Sequence, residues 1–355
     1  MRVLYFGTYE RNYPRNAQVI SALRGAGVDV SERHVSVWET SAHKWRAGAQ
    51  AAARLALAEA RLLRRPSGDF DALIVGYPGH LDLIAARRIA RRRPVVFNPL
   101  VSLYDTFVAD RRRFAPGSPA GRALKTIDRR ALRAADLVVA DTETNARFLA
   151  DLAGLPRGMV EVCFVGAEER VFAPGWDAAQ PFTALFVGKL IPLHGVETVL
   201  EAARIAPDLR FRIIGSGQLN ELLTRRPPNV EHVPWVDYER LPHELHSAGC
   251  ALGVFGTSDK AGRVIPNKAF QALACGVPLI TADTPASREL LVDEESALLV
   301  PPGDAEALAV AVGRLAADPA LAKRLAGGGL QAYRTQASEL VLGERWRSLI
   351  EQLVQ

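Results

Sequence analysis

Short apolar runs alternate with longer amphipathic stretches along the whole chain, and that alternation leaves few folds open. Val3–Phe6, Ala72–Val75, Val95–Phe97, Leu137–Ala140 and Val160–Phe164 are too short for helices and apolar enough for strands buried on both faces. Helical patterns lie between them at Asn16–Arg24, Ala47–Leu63, Leu81–Arg92, Ala120–Ala134 and Thr144–Leu152. The pattern then restarts, with strands expected at Ala184–Val187, Phe211–Ile214, Val230–Val233, Ala251–Phe255, Leu279–Thr281 and Ala297–Val300. Helices are expected at Val196–Ala206, Leu219–Leu223, Leu241–Ser247, Phe270–Ala274, Ala286–Leu291, Ala305–Ala316 and Leu321–Tyr333. Repeated βα units predict parallel, doubly wound α/β sheets. Two such runs predict two domains, joined within FAPGWDAAQP at Phe172–Pro181, where Pro, Gly and polar residues cluster. A last helix near Leu340–Leu353 has no strand after it and is expected to pack back on the first domain.

At 355 residues the chain exceeds what one core usually holds, and 48 % hydrophobic with 23 % charged residues is globular composition. The longest apolar candidate, Ala49–Leu63, is interrupted by Arg54, Glu59 and Arg61, so no membrane-spanning run is expected. MRVLYFGTYE reads as a strand entering a loop rather than a signal peptide. Cys163, Cys250 and Cys275 lie far apart in apolar runs and read as small hydrophobes, which suits a reducing, cytoplasmic compartment. Neither they nor the seven histidines have metal-ligand spacing. Asp69–Asp71 spells DxD, but it precedes a strand and so falls at the wrong end of a sheet for a ligand.

Charge is divided unevenly. Residues 1–172 hold 27 Lys and Arg against 18 Asp and Glu, whereas the remainder holds 17 against 21. Arg87, Arg88 and Arg91–Arg93 form one basic run and Arg111–Arg113 another. The plain reading is solvated surface. The sharper one is attraction to an anionic acceptor or to an anionic membrane surface, with the protein peripheral at its inner face. No nucleic-acid partner is expected, since no binding motif or aromatic-interleaved basic stripe is present.

Ligands of open α/β sheets bind beyond the carboxyl ends of strands, so the informative loops are those that follow strands. In FVGKLIPLHG, Gly188 allows close backbone approach, Lys189 supplies a cation, and His194 stands beside the helix that Gly195 opens. A cation, a flexible turn and a helix start suit a phosphate. IIGSGQ places Gly215 and Gly217 in the next turn. VPWVDY offers Trp235 and Val236 to a nucleobase, the alternative being a core tryptophan. In VIPNKAFQALACGVP, Pro266 is expected at the first helical position, and the amides of Asn267 and Lys268 lie in the donor-rich first turn. Gly276 is the expected cap. In the first half, Gly7 and Thr8 end the first strand, and Arg11, Asn12 and Arg15 read as a polar, cationic loop suited to an acceptor. His80, Asn98 and Asp105 follow strands and are candidates to face a cleft between the domains, the alternative being structural hydrogen bonding.

Lys189, Gly195, the GSG turn and PNKAFQALACG occur in one order, each after a strand. That order resembles the retaining glycosyltransferases of family 4, most strongly over Phe182–Gly303, in a branch with a PNK-type donor segment. The resemblance implies the GT-B fold, two Rossmann-like doubly wound domains facing across a cleft. It implies an acceptor domain of residues 1–172, joined by the terminal helix 338–355, and a donor domain of residues 173–337. It implies a hexosyl donor linked to a nucleotide, often UDP or GDP, and a glycan, lipid-linked or small-molecule acceptor. Anomeric configuration is retained, no metal is essential, and there is no cofactor, because the nucleotide sugar is a substrate. Lys189 matches the first basic residue on the diphosphate, and His194 stands at the second. Gly7, Gly188, Gly217, Pro266, Asn267, Lys268 and Gln271 fall to the donor, Trp235 and Val236 to the base, and Arg11, His80 and Asp105 to the acceptor side. The family's E-x7-E signature falls on Arg263 and Gln271, so neither glutamate is present. Gln271 keeps a carbonyl acceptor for the ribose but loses the charge. The alternatives are a non-catalytic nucleotide-sugar-binding protein or partner subunit, and another GT-B enzyme such as an epimerase.

Overall fold

The computed structural model describes residues 1–11, 13–37, 49–64, 68–177 and 179–355. Asn12, and the first two residues of the helix expected from Ala47, lie outside them. The chain divides into two units, Met1–Val165 with Glu339–Gln355 and Gly166–Ser338.

Unit 1 runs β1 (Arg2–Gly7), α1 (Pro14–Gly25), β2 (Asp29–His34), α2 (Ala49–Leu62), β3 (Ala72–Val75), α3 (Leu83–Ala90) and β4 (Val95–Phe97). It continues with a π-helical turn at Asp105–Asp110, α4 (Pro119–Ala134), β5 (Leu137–Ala140), α5 (Glu143–Ala153) and β6 (Val160–Val162). The six strands are parallel, in the order β2-β1-β3-β4-β5-β6. Every residue of β3, β4 and β5 is buried, which is why they read as unbroken apolar runs. Alternate residues of β1 face opposite layers. Leu4 and Phe6 pack with Leu62 of α2, Leu83 of α3, Leu132 of α4 and Leu149 of α5. Val3 and Tyr5 pack on the other face with Val19 and Leu23 of α1. The edge strand β2, DVSERH, is mostly polar and gives no apolar signal; its pairing with β1 defines it.

Unit 2 runs β7 (Thr183–Val187), α6 (Val196–Ile205), β8 (Arg210–Ile214), β9 (Val230–Val233), α7 (Leu241–Ser247), β10 (Cys250–Leu252) and α8 (Asn267–Cys275). β11 (Leu279–Ala282), β12 (Leu298–Val300), α9 (Ala305–Ala317) and α10 (Pro319–Gln336) complete it. Its six parallel strands take the order β12-β11-β10-β7-β8-β9. The helices expected at Leu219–Leu223 and Ala286–Leu291 are 3-10 turns, at Asn220–Arg225 and Ser287–Glu289. The strand expected at Ala251–Phe255 ends at Leu252, because Phe255 donates its N–H to the His194 carbonyl instead of a ladder. The division between units falls after Val165 rather than after residue 172. Residues 166–172 pack within unit 2: Phe172 meets Tyr238 edge-on at 5.4 Å, and the Tyr333 hydroxyl donates to Glu169 at 3.0 Å.

The last helix, α11 (Glu339–Val354), lies on the α1 face of unit 1, with Trp346 and Ile350 in that core. It approaches α1 backbone to backbone at Gly343, where an added Cβ would press on the Ala22 carbonyl oxygen and the Ala26 side chain. Arg15, fully buried at the start of α1, donates to Asn98 Oδ1 at 2.8 Å and to the carbonyls of Cys163 and Phe164 at 2.8 and 2.9 Å. Its guanidinium carbon lies 5.6 Å from the Trp346 ring centre. Arg15 therefore ties the ends of β4 and β6 to α1 and α11, and is not a surface cation. Gly343→Ala is expected to lower stability by ~1–3 kcal/mol, the usual cost of overpacking, read as a lower denaturation midpoint with an unchanged far-UV spectrum.

Candidate functional site

Strand order reverses in unit 2 between β7 and β10: the chain goes from β7 outward to β8 and β9, then returns to β10 on the other side. Loops leave in opposite directions at such a point, opening a crevice at the strands' carboxyl ends. The loop after β7 is clamped backbone to backbone. Gly188 donates its N–H to the Ile214 carbonyl at 2.9 Å, Leu190 to that of Ser216 at 3.2 Å, and Leu219 to that of Leu190 at 3.0 Å. Gly215 adopts φ +136°, and a Cβ there would collide with the Gly188 carbonyl oxygen. Gly217 belongs to this clamp. Its own N–H is taken by Asn220 Oδ1 at 2.7 Å, and a Cβ would come within 2.6 Å of the Leu190 oxygen. In this structure the GSG turn builds the floor, and its second glycine offers no free amide.

Two basic side chains face Gly188, which has φ +147°. A Cβ on it would lie 3.0 Å from Lys268 Nζ and 3.4 Å from His194 Cε1. Lys268 is buried, with 8 % of its surface exposed, and its Nζ has no hydrogen-bond partner among the described residues. The amine lies over the Phe186 ring, 3.4 Å from its centre. That contact favours the charged form, but burial dominates and holds the amine well below its ordinary value of 10.5. His194 ends a 3-10 turn at Pro192–His194, and its Nδ1 lies 2.6 Å from the Lys189 carbonyl. A carbonyl only accepts, so Nδ1 carries the proton and the neutral ring presents Nε2 as a lone pair. Burial, and then repulsion from Lys268, pull the imidazole well below 6.5. Lys189 is an exposed side chain.

The amine of Lys268 sits at a helix start. Pro266 is the cap of α8 rather than its first residue, with ψ 151°, and its carbonyl accepts from Ala269 N at 2.9 Å. No side chain caps this end, which leaves the N–H groups of Asn267 and Lys268 without intrahelical partners. The start of α6 is likewise uncapped by any side chain and follows His194 directly. Two positive helix ends and a buried amine therefore attend one glycine turn, an arrangement that favours an anion. Gln271 is buried one turn along α8, close to the Tyr238 hydroxyl that burial and Glu168 push up. Trp235 is not a core residue: 74 % of it is exposed, with Nε1 donating to Asp237 at 3.4 Å, and Val236 beside it is half-buried.

Unit 1 has its own switch point, between β1 and β3, and there Asp82 meets the end of β1. Asp82 accepts from the Thr8 N–H at 2.6 Å, and a Cβ on Gly7 would collide with it. Gly7 thus makes room for Asp82. His80 is buried, with Nε2 3.2 Å from Asp128 Oδ1 and Nδ1 on the Pro78 carbonyl. Burial opposes the Asp128 charge, but His80, the Ser102 hydroxyl and the Tyr104 N–H overcome it and hold the carboxylate low. Together they fix the loop after β4, in which Asp105 is also buried. Arg11 remains exposed, 3.5 Å from Glu32. Asp71 of the DxD accepts from Arg2 N at 2.7 Å, at the amino end of β3.

Residues 181–318 match the family described as glycosyl transferases group 1. That match lies wholly within unit 2. Among curated relatives, the D-inositol 3-phosphate glycosyltransferase of Acidothermus cellulolyticus is 30 % identical over 56 % of this chain and 49 % of its own. The lipopolysaccharide core biosynthesis glycosyltransferase LpsD of Rhizobium meliloti is 25 % identical over 49 % of this chain and 50 % of its own, so the chain spans about half the length of these two relatives. The fold extends through both units. Sucrose-phosphate synthase from Thermosynechococcus elongatus matches 99 % of this chain and 98 % of its own with TM-score 0.76 at 18 % identity. HepE of Anabaena, solved with UDP-glucose, matches 99 % and 100 % with TM-score 0.70 at 14 % identity. Two parallel six-stranded sheets with flanking helices, matched end to end in this way, are the two-domain GT-B fold.

Lys268 has a testable sign. Its folded proton affinity is depressed, so the unfolded chain binds more protons between the folded value and 10.5, and stability rises with pH across that window. Lys268→Met removes the titration and the unsatisfied amine. At pH 7.5 the variant is expected to exceed the parent by ~1 kcal/mol or more, the scale of one buried unsatisfied polar group, with the gap closing as pH approaches 10.5. Urea midpoints of both proteins across pH 7.5–10.5 measure this.

Proposed function

We propose that the protein is a retaining, metal-independent glycosyltransferase that moves a hexosyl group from a UDP- or GDP-linked donor to a hydroxyl of a glycan, lipid-linked or small-molecule acceptor. The observation that carries the reading is the buried, unpartnered amine of Lys268 facing Gly188 between two uncapped helix starts. A lone buried amine is costly in the resting protein. An incoming diphosphate repays that cost by supplying charge and acceptors. The group 1 match within unit 2 and the UDP and UDP-glucose bound by HepE, a protein of the same fold, support a nucleotide-sugar donor. Three buried free thiols support a reducing, cytoplasmic compartment.

The chemistry follows from what the site supplies. The bond between the sugar's anomeric carbon and the diphosphate oxygen breaks, and the acceptor hydroxyl oxygen enters on the same face, its proton passing to the departing diphosphate. The leaving diphosphate gains charge as it departs, so groups fixed around it before the step lower the barrier. Lys268, the Asn267 and Lys268 amides and the start of α6 provide those groups. Lys189 adds an exposed cation at the mouth, and His194 becomes a donor on both nitrogens once an anion raises its proton affinity. Gln271 and Trp235 are assigned to the ribose and the base.

Gln271 and Arg263, standing where the resemblance expects glutamates, favour one other reading: a protein that binds the donor without transferring its sugar. Calorimetric titration with UDP, GDP, ADP and dTDP, followed by donor turnover, separates the two. Selective binding of one diphosphate with slow donor hydrolysis or transfer supports the enzyme. Binding without turnover supports the second reading, and no binding contradicts both. In the active protein, Lys189→Ala and Lys268→Ala are each expected to lower turnover at least ~100-fold, the scale of losing one preorganised charge donor. Near-parental turnover of either would remove that residue's assignment.

A further inference from the structure

We propose that the outer face of unit 1 built by α2, α3 and α4 docks on an anionic lipid bilayer. The three helices lie side by side on one face of the sheet. Their carboxylates are turned inward. Asp82, before α3, is committed to Thr8, Asp128 of α4 is buried on His80 and Ser102, and Glu59 of α2 faces Asp82, where burial and that carboxylate push it up to about 9 and so remove its charge. The outward positions are basic instead. On α2 and just after it they include Arg54, Arg61 and Arg64, and at the end of α3 Arg88, Arg91 and Arg92. α4 continues the field with exposed Arg122, Lys125, Arg129 and Arg130. Unit 1 as a whole holds 28 Lys and Arg against 19 Asp and Glu, whereas unit 2 holds 16 against 20.

Charge alone would suit any polyanion. The apolar residues set among these arginines point to lipid. Ile84 is 70 % exposed and Leu57 55 %, with Leu63 and Leu81 also open to solvent. Ile84 lies one turn before Arg88 on α3, and Leu57 one turn before Arg61 on α2. On both helices an aliphatic side chain and an arginine therefore share one stripe. Aliphatic groups enter the boundary between headgroups and acyl chains while arginines stay at the phosphates, whereas a hydrated polyanion gains nothing from exposed leucine and isoleucine. The proposal stands apart from the donor site, since none of these residues lies in unit 2.

The test is co-sedimentation of the full chain with phosphatidylcholine vesicles and with vesicles containing phosphatidylglycerol, at physiological salt. Binding to the anionic vesicles is expected to be at least ~10-fold the stronger. Arg88→Glu with Arg92→Glu is expected to weaken binding at least ~10-fold, and to weaken binding to heparin too. Leu57→Ser with Ile84→Ser is expected to weaken vesicle binding by a similar factor and to leave heparin binding unchanged. Equal binding to both vesicle types, or none, overturns the proposal on the parent protein alone. A serine variant that sediments like the parent also overturns it, and assigns the face to a soluble polyanion.

Discussion

Where the strands of unit 2 end, backbone lies directly on backbone: the turn after β8 rests on the turn after β7, and the loop after β10 bonds to the carbonyl of His194. Side chains would hold these loops apart. Glycine at 215 lets them close, and glycine at 188 leaves room for His194, just before α6, and Lys268, in the first turn of α8. The Lys268 amine is caught beneath that junction, against Phe186 and without a hydrogen-bond partner among the described residues. The site is thus a consequence of packing. Its amine is held by the core of unit 2 rather than offered on an exposed surface arm, so it loses little conformational freedom when an anion arrives.

Unit 1 solves the same topological problem differently. At its switch point Asp82 satisfies the Thr8 amide from within the protein. Buried Arg15 and the His80–Asp128 pair then freeze the neighbouring strand ends. Unit 2 sets the Lys268 amine against the glycine turn at its strand ends, whereas unit 1 sets a carboxylate at the end of β1. That asymmetry agrees with the split in charge, since the surplus cations of unit 1 lie largely on its outer helices.

The buried strands were legible because burial on both faces demands unbroken apolar runs, as in ALIV of β3 and LVVA of β5. The edge strand β2 was not, because DVSERH is paid no apolar premium and is recognised only through its pairing with β1. Topology alone directs the ligands of open α/β sheets to the loops that follow strands. The roles of individual polar residues were harder to read. His80 meets Asp128 and Thr8 meets Asp82 across long separations in sequence, which no local pattern encodes. Arg15 reads as a loop cation, yet it is buried by α11, which closes the chain. Lys189 is legible as the first cation after a strand. The signal for Lys268 was its apolar setting, with Ala269 and Phe270 following it in the first turn of a helix whose face enters the core.

The central claim is that a depressed, unpartnered amine receives the donor's diphosphate. The direct measurement is proton exchange on binding: titrate the preferred nucleoside diphosphate at pH 8 in two buffers of different ionisation enthalpy. An anion beside Lys268 raises its proton affinity, so the account predicts net proton uptake, seen as a binding enthalpy that changes with the buffer and as affinity that falls with rising pH. Binding with no proton exchange, and with affinity independent of pH up to the ordinary lysine range, would contradict it.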